Sequence, residues 1–194
     1  MDSKKPEEIK EENKEEKLIE KLLKTRSIII CGEINQALAE KVTTQLLLLQ
    51  AMGDDPINLY LNSQGGHVEA GDTIHDMIQF IRPRVLIVGT GWVASAGITI
   101  YLAASRVDRY SLPNTRYMIH QPLGGAQGQA TDLKIEADEI IKMRERINRL
   151  ISHATGQPVE KVHQDTLRNH WMDVHQAIEY GIVNRIVTRF DEVV

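Results

Sequence analysis

From residue 27 onward, short runs of β-branched and aliphatic residues alternate with amphipathic stretches, and this alternation restricts the possible folds more than any other feature. SIIIC (27–31), INLYL (57–61) and RVLIVG (84–89) are short, apolar and bounded by turn-forming residues, so they read as buried strands. Residues 36–51 place Leu38, Val42, Leu46 and Leu49 at helical spacing before the breaker GDDP. Residues 67–81 set Val68, Ile74, Met77, Ile78 and Ile81 towards one side of a second helix. Residues 94–104 are apolar nearly all round, which predicts a buried helix. RVDRYSLP and TRYMIH read as short strands. A long helix is expected from about residue 131 to 155, with Leu133, Ala137, Ile140, Ile147 and Ile151 as its stripe. Two shorter helices follow near 158–168 and 173–180. Gly181 reads as a C-cap, and IVNRIVT as a last strand. Strands alternating with helices imply βαβ units and a mostly parallel sheet, an α/β fold.

The totals exclude several classes. A chain of 194 residues, 42% hydrophobic and 26% charged, suits one soluble domain with a sizeable core. A net charge of −4 argues against nucleic acid as a partner, since such binders carry a basic stripe. No apolar run approaches the ~18 residues that span a bilayer, so no membrane is expected. The opening MDSKKPEEIKEENKEEK lacks the apolar centre of a secretory leader. The single cysteine, Cys31, excludes an intramolecular disulfide and fits a reducing compartment; the expected location is the cytoplasm. Residues 1–24 hold seven Lys and eight Asp or Glu, and read as a charged tail, disordered or part helical, whose last part has one apolar edge in Leu18, Ile19, Leu22 and Leu23 with which to dock as a helix. Residues 25–194 are expected to form the single folded domain.

Two loops carry the chemistry. NSQGGH (62–67) and GTGWVAS (89–95) each follow a strand and precede a helix. In open α/β sheets ligands bind beyond the carboxyl ends of strands, where helix N-termini offer unpaired N–H groups. Gly65 and Gly66 let backbone approach a ligand closely. Ser95 is expected in the first turn of a buried helix, with the N–H of Ala96 free to face a developing oxyanion. Taken alone, a serine among small residues is more often a packing residue, and a Gly–Gly pair more often a turn. A nucleophile also needs a base, and YMIHQPLGG supplies His120 directly after a strand. No HExxH motif and no second cysteine are present, so no metal site is expected.

LYLNSQGG, GWVASAG, YMIHQPLGGAQGQATD, ATGQP and AIEYGIVNRIV together resemble the ClpP family, the serine peptidase subunits of bacterial energy-dependent proteases. The likeness runs in order over about residues 20–188. It implies the ClpP/crotonase-type fold, with stacked βαβ units, a protruding long helix and two stacked heptameric rings. It implies Ser95 as nucleophile, His120 as general base, and the N–H groups of Gly66 and Ala96 as oxyanion donors. Gly124, Gly125, Ala126 and Gln127 match the segment that binds extended peptide. Tyr60, Phe80, Tyr110 and Leu112 match apolar sites where an AAA+ unfoldase such as ClpX or ClpC docks. The implied substrates are unfolded polypeptides, and the implied chemistry needs no cofactor, since ATP is used by the unfoldase.

The chain departs from the family at several of these positions. Asn169 stands where the family has the triad aspartate, one residue after Arg168. Its carbonyl can hold the imidazole but brings no charge. Leu167 replaces a common acid, Gln64 the proline of the Gly–Gly loop, and Asn58 and Thr90 are polar at docking positions. Two readings result: a serine endopeptidase subunit, weakly active alone, or a mainly structural ring subunit paired with an active ClpP paralogue. Acyl-CoA enzymes of the crotonase fold also use Gly-rich oxyanion loops. The Ser95/His120 pair and the QPLGG segment speak against that third reading.

Overall fold

The computed structural model describes residues 18–125 and 127–193. Expectations for residues 1–17, and for Ala126 as a peptide contact, lie outside the described residues. Residues 18–24 are helical (α1), and Leu23 packs against the core. The chain then runs β1 (Ser27–Ile34), α2 (Gln36–Met52), β2 (Ile57–Gly66), α3 (Val68–Phe80), β3 (Val85–Ala94) and α4 (Ala96–Tyr101). It continues through β4 (Arg109–Ser111), β5 (Arg116–Ile119), α5 (Ala130–Thr155), α6 (Val159–Asp165), β6 (His170–Met172), α7 (Val174–Tyr180) and β7 (Arg185–Ile186).

The strands form one sheet in the order β1-β2-β3-β4-β7, all parallel, with β5 parallel to β3 as a branch and β6 antiparallel to β5. Period-two burial explains which face is inside. Ile57, Leu59 and Leu61 of β2 are fully buried, in one core cluster with Ile28 and Ile30 of β1 and Val42, Leu46 and Leu49 of α2. All six residues of α4 are buried, as its apolar circumference requires.

Some elements differ from expectation. β2 and β3 run five residues past the apolar stretches, carrying the sheet through both Gly-containing loops. The helix after Ser95 ends at Tyr101 rather than residue 104. The last strand is two residues long, and β6 was not expected at all. On α5 only the C-terminal part of the stripe, Ile147 and Ile151, is buried. Leu133 is exposed, together with Ile135 and Ile141 further along the same half of the helix. In that half the apolar side chains are largely exposed, and among the described residues Gly124 reaches Ile140.

Two arginines tie helix ends to the sheet. Arg26 donates to the carbonyls of Leu49 and Gly53 at the end of α2 and to those of Asp55 and Pro56 beyond it. Arg109 is 3% exposed and donates to Ala104 and Ala154 at 2.9 Å each, with Gly181 and Ile182 at 3.4 and 3.5 Å. These carbonyls lie beyond the ends of α4 and α7 and in the last turn of α5, where orphan acceptors and partial negative charge favour a cation. Burial lowers the Arg109 guanidinium to about 10, which leaves it charged at neutral pH. Gly181 has φ +92° and caps α7 as its sequence position suggests. Replacing Arg109 by Met should orphan these carbonyls and cost about 3 kcal/mol in chemical unfolding at fixed protomer concentration. A change under about 0.5 kcal/mol, the range of ordinary surface substitutions, would contradict the capping role.

Candidate active site

Three adjacent strands end at one place. β3 pairs with β5 through Ala94↔Met118, and the N–H of Ser95 continues the ladder by donating to the Met118 carbonyl at 3.0 Å. β5 pairs with β6 through Ile119↔His170, so His120 and Asn169 are the next facing residues. Ser95, His120 and Asn169 therefore sit one position beyond the paired ends of β3, β5 and β6, a strand spacing apart.

The side chains meet. His120 Nε2 lies 2.7 Å from Ser95 Oγ, and His120 Nδ1 lies 3.1 Å from Asn169 Oδ1. In this orientation Nδ1–H donates to the amide oxygen, and the Nε2 lone pair accepts from the serine hydroxyl. Burial pulls the half-buried imidazole below its ordinary range, and the bond to Asn169 opposes that shift.

Ser95 is not in the first turn of α4 but at its N-cap, with φ +55° and ψ −122°. Only one other described non-glycine residue, Arg26, has positive φ. Such a backbone costs about 1–3 kcal/mol and persists where surroundings over-determine it. Gly65 is part of that surrounding. A Cβ there would lie 2.6 Å from Ser95 Cβ and 2.8 Å from the Ala94 carbonyl oxygen. At Gly66, φ +152°, a Cβ would fall 2.1 Å from the Ile34 carbonyl oxygen. Ser63, fully buried and absent from the expectations, anchors this loop: its hydroxyl donates to the Gly32 carbonyl and accepts from the Gly65 N–H at 3.0 Å.

An open cleft of about 270 Å³ runs past this point, lined by Glu33, Gln64, Gly66, Ser95, His120 and Leu123. Ala96, the other expected amide donor, is the first residue of α4, where no intrahelical acceptor exists for its N–H. A hollow of about 20 Å³ behind Ser95 is lined by Val68, Ile98, Ile119, Ile147 and Ile151. The chain leaves the cleft through Pro122 and Leu123. Gly124 then passes Ile140 of α5, Gly125 faces open space, and Gln127 is exposed. Among the described residues of this segment there is no strand.

The four expected docking residues separate. Phe80 is 76% exposed, Leu112 37%, and Tyr60 is partly exposed. Tyr110 is buried with Leu86, Val88 and Val187, packed against Tyr60 and Val193, and presents no ring at the protomer's surface. The cause is register, which places Tyr110 between Val88 and Arg185 inside the sheet, and the Arg185 guanidinium lies over the ring. Asp165 is unavailable to His120, being held by Lys161 at 2.6 Å and by the Tyr180 hydroxyl at 2.9 Å. Among the described residues, no group of three or more His, Cys, Asp or Glu could hold a metal ion, and no helix is long and apolar enough to cross a membrane.

A serine on a strained strand-to-helix turn, facing an imidazole that is itself held by a side-chain carbonyl, is the arrangement of serine hydrolases. The Clp protease family profile matches residues 10–190, and the chain belongs to that family. It is 57% identical over 167 residues to the ATP-dependent Clp protease proteolytic subunit 3 of Rhizobium etli, covering 86% of each chain. It is 47% identical over 177 residues to proteolytic subunit 2 of Pseudomonas aeruginosa, covering 91% of this chain and 88% of that one. Among solved structures, ClpP1 from Listeria monocytogenes is 61% identical with TM-score 0.83, over 91% of this chain and 99% of that one. An asparagine-to-aspartate mutant of the same Listeria protein aligns with TM-score 0.86 over the same shares. The fold is that of ClpP.

A carboxylate beside an imidazole favours its charged form. Asn169→Asp should therefore raise the His120 pKa. An NMR titration of the ring protons checks this, and an unmoved midpoint would show that residue 169 does not face the ring.

Proposed function

We propose that this chain is a serine endopeptidase subunit of the Clp type, cleaving unfolded polypeptides by acyl transfer inside a barrel of two stacked heptameric rings in the cytoplasm. The observation that carries the reading is the 2.7 Å contact of His120 Nε2 with Ser95 Oγ, with the opposite ring nitrogen bound to Asn169. His120 takes the hydroxyl proton as Ser95 attacks the peptide carbonyl. The oxyanion is received by the amides of Gly66 and Ala96. His120 then returns the proton to the leaving amine, and water releases the acyl group by the same steps in reverse. An extended peptide would lie along Gly124, Gly125, Ala126 and Gln127, adding as a strand.

Asn169 limits the rate in two ways. It brings no charge to stabilise the imidazolium, and a neutral hydrogen bond is roughly half as strong as a charge-assisted one. Its amide also has two faces. With Oδ1 towards the ring the productive tautomer forms. With Nδ2 towards the ring the proton moves to Nε2, which then cannot accept from Ser95. Wrong tautomer choice is the route by which the aspartate-to-asparagine change in a chymotrypsin-type protease costs about ten-thousand-fold in kcat. An aspartate offers only acceptors and has no unproductive face.

The same residue favours a second reading, a mainly structural subunit in a ring assembled with an active paralogue. An AAA+ unfoldase would meet the exposed Phe80 and Leu112 and the rim of Tyr60, with Asn58 and Thr90 reducing the apolar area on offer. Labelling by a fluorophosphonate separates the two. The peptidase reading expects modification of Ser95, abolished by Ser95→Ala, and at least a roughly tenfold rise in peptide turnover with Asn169→Asp. A correctly assembled particle that is neither labelled nor accelerated is the structural subunit.

A further inference from the structure

The pair His120–Asn169 lies where the β5–β6 ladder ends and the two chain segments part. Asn169 follows a short loop from α6, and Leu167 and Arg168 on that loop are exposed. Something must hold the loop if a neutral amide is to stay in line with the ring. The far end is fixed by Thr166, 1% exposed, whose hydroxyl sits 2.8 Å from the Val162 carbonyl and 3.0 Å from Asn148 Oδ1. The middle is fixed by Gln121, the residue directly after His120. Its backbone N–H donates to the Thr166 carbonyl at 2.7 Å, and its side-chain Nε2 donates to the Leu167 carbonyl at 3.0 Å. Arg144 on α5 approaches Gln121 Oε1 at 3.4 Å, and the Arg144 Nε is buried without a hydrogen-bond partner. An arginine at the oxygen leaves the amide NH₂ only one direction, towards Leu167.

We infer that Gln121 is a positioning residue that clips the Leu167–Asn169 loop to the end of β5, so that Asn169 faces His120 with its oxygen in line. The inference rests on the peptidase reading above. The clip holds the loop two residues from Asn169 on one side of the ring, and the β5–β6 ladder holds His170 on the other. Neither support touches substrate. Their effect is on the geometry of His120, and through it on Ser95. An aspartate at position 169 would re-form its bond to the ring by charge attraction after a small displacement. The neutral asparagine has less to pull it back, so this chain depends on the clip more than an aspartate-bearing one.

The test is the rate at which a fluorophosphonate acylates Ser95 in the assembled particle, for the parent, Gln121→Ala, Asn169→Asp and the double variant. Gln121→Ala is expected to slow acylation by roughly ten- to hundredfold, the cost of a misplacement on the order of 1 Å. With Asn169→Asp present, the loss on removing Gln121 should shrink to about threefold or less, because coupled sites are not additive. Gln121→Met keeps the side-chain length without a charge and without a donor for the Leu167 carbonyl. It should match Gln121→Ala, and it controls for a cavity left by the shorter side chain. Particle mass and melting temperature identify any variant that fails to assemble. Equal losses in the two backgrounds, or none in either, overturn the inference. If none of the proteins is acylated, the peptidase reading has failed, and the imidazole still decides the clip. Loss of the Asn169 bond should lower the His120 pKa in Gln121→Ala, and an unchanged titration rejects the inference.

Discussion

The hydrogen-bond ladder across β3, β5 and β6 is the constraint on which the site depends. Its two joints have different senses, β5 running parallel to β3 and antiparallel to β6. The first joint lets Ser95 and His120 leave the sheet in the same direction. The second brings the chain back so that Asn169 enters as His120 leaves. Because strand spacing is about 4.8 Å, side chains from neighbouring strand ends reach one another without a long loop to order. The three strands are also braced on one face. Trp92 of β3 and Trp171 of β6 stack at 6.4 Å, and the Arg116 guanidinium of β5 lies 4.3 Å from the Trp171 ring. Such cross-strand contacts contribute roughly 0.5–1.5 kcal/mol each, and a slip of one residue would break both.

Against that ladder the chain holds one strained residue. Ser95 stands in a backbone conformation that its neighbours impose. The Met118 carbonyl holds its N–H, Gly65 leaves no room for retreat, and Ser63 locks Gly65 in turn. The Gly65–Gly66 pair is thus more than a turn. It is the wall against which Ser95 is pressed, and a Cβ at Gly65 or Gly66 would collide with Ser95 or with the Ile34 backbone. Strain at Ser95 and absence of a Cβ at Gly65 are two descriptions of the same close approach.

How much of this was legible follows from what kind of signal each part carries. The β1–α2–β2–α3–β3 series announces itself through periodicity, and Ser95 and His120 stand out as polar residues at strand ends. β6 is three residues, HWM, too short for an alternation to register, and its existence depends on β5 lying beside it. Ser63, Arg109 and Gln121 bond mainly to backbone carbonyls and amides, Arg109 to ones up to 73 residues away. Backbone groups are the same at every position, so no residue pattern reveals those partners. The long stripe on α5 was readable as apolar but not as core. Half of it is largely exposed, and periodicity reports an apolar face without naming what covers it. The burial of Tyr110 was illegible for the complementary reason. A family position can be assigned by motif, but burial is set by cross-strand neighbours and by the C-terminal segment that packs near them.

Asn169 separates two contributions that an aspartate combines. A carboxylate aligns the imidazole and also stabilises its charge, so removing it confounds geometry with electrostatics. Here the alignment is present at 3.1 Å with the charge absent. Burial already favours neutral imidazole; on the proposed mechanism this would suit a base waiting for a proton but would raise the cost of holding that proton as the reaction proceeds. A site built this way is preorganised for the first half of proton transfer and under-supported for the second. Any event that brings negative charge near His120, whether from a neighbouring subunit or a bound acidic group, acts on that deficit directly. On the proposed mechanism, a neutral third member would make the site more responsive to its surroundings than a carboxylate would, because the stabilisation it lacks is the kind a neighbour can supply.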